Sequence, residues 1–161
     1  MAGSSYEIFI VPIEKRALAV IKEVAWAQNI GPKIGATMGA LHEGLRQLGV
    51  TETGRDVVVY HPQGEGMWDS PPGIHVEIGV QLKEPLHVEK PPVLRSETPA
   101  GRAAHALHVG PYQLLPEAHH AIHQWCREHG HTLAGLNWEV YGPHHADDPS
   151  KLRTDVFYEL K

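Results

Sequence analysis

Cysteine is almost missing from this chain: Cys126 is the only one in 161 residues, so a disulfide framework is excluded and a reducing, cytoplasmic setting is expected. No stretch approaches the roughly 20 apolar residues of a membrane span, and the first residues carry neither a basic nor an apolar leader pattern. A basic excess is also lacking. The formal net charge of −5 argues against general affinity for nucleic acid or anionic membranes. There is no Walker loop, no GxGxxG after a strand, no nucleophile elbow and no CxxC, which removes the common nucleotide, acyl-transfer and thiol-redox templates; no cofactor is implied. The few residues ahead of the first apolar stretch are too short for a helix-turn-helix, so direct DNA binding is not expected.

What is present reads as α+β, in one domain with enough chain for a core. Residues 6–13 and 18–26 alternate or run apolar as two strands, with Glu14, Lys15 and Arg16 as the turn of an expected hairpin. After Gly31-Pro32 the period changes. Ile34, Met38, Leu41, Leu45 and Leu48 recur at three- and four-residue steps, and Gly49 suits the C-terminal cap of a helix. Residues 56–62 and 74–82 follow as strands, separated by a Gly/Pro-rich loop that carries Trp68. Residues 84–92 are proline-rich and read as a linker between one repeat, 5–83, and a second, 93–161. In the second repeat, strands at 93–98 and 102–109 precede a helix burying Leu114, Leu115, Ala118, Ile122, Trp125 and Cys126. Gly130 caps it, and strands at 137–143 and 153–160 follow.

The repetition is legible in letters. Pro32 leads after thirty residues to Pro62 of Val-Tyr-His-Pro, and Pro111 after thirty-two to Pro143 of Val-Tyr-Gly-Pro. Tyr60 therefore matches Tyr141, and Val58 matches Glu139. Two ββαββ repeats with antiparallel sheets, related by a pseudo-twofold axis, would each cover one face with a helix and leave a ligand cleft between the uncovered faces. Alternation puts Glu139 and Tyr141 on one face of their strand and Trp138 and Val140 on the other. The expectation is that Glu139, Tyr141 and Tyr60 line that cleft while Trp138 and Val140 pack under the second helix. A carboxylate in mid-strand between apolar neighbours is expensive to bury without partners, which marks Glu139 as the candidate centre. Tyr112 and Trp68 are candidate walls, and His108 a candidate neighbour.

Thirteen histidines invite a metal reading. His119 and His123 stand four apart on the second helix, but no HExxH is present; helical phase puts His119 at the edge of the buried stripe and His123 beyond it, both read as surface histidines without a third ligand, and no metal site is assigned. His144 and His145 sit in a loop with Asp147 and Asp148, where adventitious metal could bind. Cys126 reads as core.

Ala-Gly-Arg at 100–102, His-Val-Gly-Pro-Tyr at 108–112, Trp125, Trp-Glu-Val-Tyr at 138–141 and the closing Leu-Arg-Thr-Asp-Val-Phe-Tyr strand together resemble the GyrI-like small-molecule-binding family, which includes effector-binding domains of AraC-type and MerR-type multidrug regulators. The resemblance implies tandem SHS2-like halves, a pocket with Glu139 at its floor among aromatic rings, and flat hydrophobic or cationic aromatic ligands. It also implies two alternatives. One is a hydrolase that opens cyclopropane-bearing natural products with Glu139 and Tyr141 as catalytic groups; the other is a protein-interaction module such as a gyrase inhibitor. A monomer or a homodimer fits either.

Overall fold

A computed structural model describes residues 6–62, 67–143 and 147–161; His144 and His145 lie outside the described residues. Eight strands and two α-helices are present among them: β1 (Ile8–Ile13), β2 (Arg16–Ala25), α1 (Ile30–Gln47), β3 (Asp56–His61), β4 (Ile74–Gln81), β5 (Leu94–Thr98), β6 (Gly101–Val109), α2 (Leu115–His129), β7 (Leu133–Tyr141) and β8 (Arg153–Leu160). The class is α+β and every strand pairing within the two units below is antiparallel, as the alternation of the sequence led us to expect.

The chain divides into two compact units, residues 15–99 and residues 1–14 with 100–161. In the first, the central unit, β4 lies between β2 and β3, and β5 pairs along the other side of β2. Helix α1 packs Leu41 and Leu45 onto Ala19, Ile21, Val80 and Leu82. Leu86 and Val93, at the ends of the proline-rich connection, are buried in the same cluster. In the second, the terminal unit, β8 lies between β6 and β7, and β1 pairs with β6. Helix α2 packs Leu115, Ala118, Ile122 and Cys126 onto Ala104, Ala106, Val156, Tyr158 and Leu160.

The hairpin expected of the first two strands does not form. β1 pairs with β6 and β2 with β4 and β5, so each unit takes its outer strand from across a chain connection. The apolar alternation of β1 suits either partner. What decides is that Ile8 and Ile10 pack against the core beneath α2. Both helices end where the sequence places a glycine, with Gly49 at φ +76° and Gly130 at φ +74°, a conformation that favours residues without a Cβ.

The assignment of faces is also reversed. Glu139 stands opposite Val156 and Tyr141 opposite Thr154, and Val156 belongs to the core under α2. Glu139 and Tyr141 therefore point to the helix-bearing face. Trp138 is on the other side, stacked on Phe157 at 5.5 Å between ring centroids. Tyr60 likewise stands opposite Val76 and shares its face with Val80, under α1. Alternation shows which side chains share a face; it does not show which face the helix covers.

Candidate ligand-binding site

Strand β7 opens on a register irregularity between Leu133 and Asn137, where Gly135 takes φ +128°. Beyond it the strand runs regularly into the core of the terminal unit. Glu139 is only 4% exposed. A carboxylate so deep needs donors, and two are in place: Tyr141 donates its hydroxyl to Oε1 at 2.5 Å, and His119 approaches Oε2 with Nε2 at 2.7 Å. A carboxylate oxygen only accepts, so Nε2 carries the proton. When the ring is neutral, Nδ1 is left to accept, and it meets the Tyr158 hydroxyl at 2.6 Å. The result is a line of hydrogen bonds, Tyr141 to Glu139 and Tyr158 through His119 to Glu139. Burial, with the Glu139 charge and Cys126 adding to it, pushes the Tyr158 hydroxyl well above the ordinary phenol value, which keeps it a donor.

His119 thus corrects the expectation of a surface histidine: its side chain is 19% exposed and engaged on both nitrogens. The signal was in the helix phase. Position 119 lies four residues after Leu115 and three before Ile122, both buried on the stripe that faces the sheet. Tyr158 was legible too, as an aromatic on the alternating buried face of β8. His123 is a further four residues along α2, and its ring lies 4.8 Å from that of Tyr158. Burial lowers the His123 pKa, with His119, Arg127 and His120 adding positive field.

Aromatic rings extend the site. Tyr112, 38% exposed at the turn before α2, meets the Tyr141 ring edge-on at 5.7 Å. Val109 and Leu114 are exposed beside it in the chain. His108 is 2% exposed; its Nε2 donates to the Pro111 carbonyl at 2.9 Å and its Nδ1 meets the Tyr6 hydroxyl at 2.7 Å. It thereby ties down the turn that presents Tyr112. Thr154, opposite both Tyr141 and His108 in the sheet register, is fully buried, and its hydroxyl has no hydrogen-bond partner among the described residues. In the central unit Tyr60 and Trp68 form a second aromatic pair, edge-on at 5.5 Å.

A second acid is buried, on the face of its strand that alternation had set outside the core. Glu77 on β4 accepts hydrogen bonds from His61 and from Ser96. Burial opposes its charge, but those hydrogen bonds and the positive fields of His61 and Lys22 outweigh it and hold the carboxyl below its ordinary value. No group of three or more His, Cys, Asp or Glu among the described residues is placed to hold a metal ion. Nor is any helix among them long and apolar enough to cross a membrane.

Residues 6–161 match the model of the GyrI-like small molecule binding domain. The chain belongs to the GyrI-like family. Similar solved structures show the same fold. The C-terminal domain of EcmrR superposes with a TM-score of 0.76 at 16% identity, covering 98% of each chain. SAV2435 bound to tetraphenylphosphonium superposes at 0.67 and 12%, covering 96% of this chain and 94% of that one. A hydrolase from Listeria innocua follows at 0.62 and 13%, covering 99% and 93%. Among curated protein sequences, none matches. In this GyrI-like domain the sequence-predicted residues Glu139, Tyr141 and Tyr112 come together in the terminal unit, Tyr60 and Trp68 pair in the central unit, and His108 supports the Tyr112 turn.

Proposed function

We propose that this GyrI-like domain binds flat hydrophobic, often cationic, small molecules at the Glu139 site, as a drug or toxin sensor or a sequestering protein inside the cell. The observation that carries this reading is the buried Glu139 carboxylate, held by Tyr141 and His119, with the Tyr112 ring edge-on to that of Tyr141. A desolvated negative charge attracts a cation far more strongly than it would in water, and the faces of tyrosine rings add cation–π attraction. Rings impose little directional demand, so discrimination among flat ligands should be modest. SAV2435, of similar fold, holds a hydrophobic aromatic cation, which supports the same ligand class here.

Hydrolysis is the second reading, favoured by the hydrogen-bonded line from Tyr158 through His119 to Glu139, which links a candidate base to a proton carrier. Against it, both Glu139 oxygens already accept hydrogen bonds, from Tyr141 and His119, so one donor would have to be displaced before either oxygen could take a proton from water. Binding and turnover separate in one experiment. Aromatic cations are titrated by fluorescence and the mixtures are then analysed by mass: binding with unchanged ligand mass supports the first reading, and a hydrated product lost in Glu139→Gln supports the second.

A further inference from the structure

We propose that His119 is a specificity-determining residue that makes cation binding at Glu139 depend on pH; the inference rests on the binding reading above. With the ring neutral, the pair carries one negative charge, because Nε2–H donates to Glu139 while Nδ1 accepts from Tyr158. When the ring takes a second proton at Nδ1, the pair becomes neutral overall. The structure can accommodate that step. Tyr158 needs only to turn its O–H away and accept from Nδ1–H through the same oxygen, keeping its own proton throughout. A cationic ligand and this proton therefore compete for the field of one carboxylate. A neutral ligand of the same shape does not take part in the competition.

Several titratable groups surround the ring. β7 presents Glu139 and Tyr141 to the ring, and β8 presents Tyr158. On α2, His123 and His120 neighbour it, with Arg127 beyond, Cys126 beside Tyr158 and Glu117 near Tyr6. β6 contributes Ala104 and Ala106 to the core here, and His108 is bonded to Tyr6. Glu139 is the acid hydrogen-bonded to the ring. His123, whose own charged form is disfavoured by burial, is poorly placed to take the proton in its stead.

The test uses ethidium as cation and 9-phenylphenanthrene, which has the same ring outline but no basic nitrogen, as a neutral analogue, with the wild-type domain and His119→Gln, whose amide keeps a donor to Glu139 but does not titrate. Between about pH 8 and about pH 5.5, across the imidazole range, ethidium affinity is expected to fall roughly tenfold in the wild type. The neutral analogue should hold constant, and the acid loss should vanish in His119→Gln. A flat ethidium profile in the wild type, or an acid loss undiminished in His119→Gln, overturns the proposal. Should His119→Gln fail to fold, the wild-type ring decides. By reciprocity, ethidium must shift the His119 proton NMR titration toward the neutral ring and the analogue must not; the absence of that shift overturns the proposal. If neither compound binds at pH 8, the binding reading itself fails and this inference falls with it.

Discussion

Tyr158 meets Nδ1 of His119 at 2.6 Å while the opposite edge of the same imidazole holds Glu139, so one ring transmits the buried phenol's orientation to the buried carboxylate. Tyr158→Phe keeps the aromatic volume in the core and leaves Nδ1 without this donor. The expected loss is about 1–2 kcal/mol in denaturant unfolding, the cost of a buried acceptor deprived of its bond. The slope of the unfolding transition should not change.

Thr154 gives the opposite expectation. Its hydroxyl is buried without a partner among the described residues, so Thr154→Val removes a desolvated polar atom and loses no hydrogen bond. Stability should stay within about 1 kcal/mol of the wild type or rise. A fall in ligand affinity in that stable variant would identify the hydroxyl as a ligand contact.

Tyr112 tests the apolar side of the site. At 38% exposure it contributes little to the core, so Tyr112→Ala should change stability by under about 1 kcal/mol. Affinity should fall for cationic and neutral dyes alike, because a ring wall serves both. A loss confined to cations would show that its contribution is cation–π alone.

Glu77 makes stability depend on pH. Its carboxyl is held below the ordinary value in the folded state, so its contribution is present above the unfolded pKa and is lost as pH falls through the folded one. At neutral pH Glu77→Gln should cost about 1–3 kcal/mol, since His61 and Ser96 lose a charged acceptor. Thermal unfolding followed from neutral pH downward should show the two proteins converging below the ordinary carboxylate range. A constant difference would contradict the assignment.

Much of this was readable in the letters. Element types followed from period: two for β4 and β7, three to four for α1 and α2, with Gly49 and Gly130 marking the helix ends. The mid-strand position of Glu139 between apolar neighbours marked it as an acid in need of partners, and the repeat matched Tyr60 to Tyr141. Strand pairing was not legible, because β1 could lie against β2 or β6 with the same alternation and only the burial of Ile8 and Ile10 under α2 decides. The face of Glu139 was misread for a related reason. The acid was assigned to the helix-free side because the repeat was expected to leave its ligand cleft there, whereas His119 and Tyr141 provide the donors that let it be buried under the helix. His119 lies 20 positions from Glu139, and Tyr158 39 positions from His119, a proximity that tertiary structure alone creates.

The central claim is that Glu139 gives the site its preference for cations. Ethidium and 9-phenylphenanthrene are titrated at about pH 8 against the wild type and Glu139→Gln, which retains volume and an acceptor. The account predicts at least a tenfold loss for ethidium, about 1.4 kcal/mol, and little change for the neutral compound. Equal affinities of ethidium for the two proteins would contradict it and leave Glu139 as a structural acid of the β7–α2 contact.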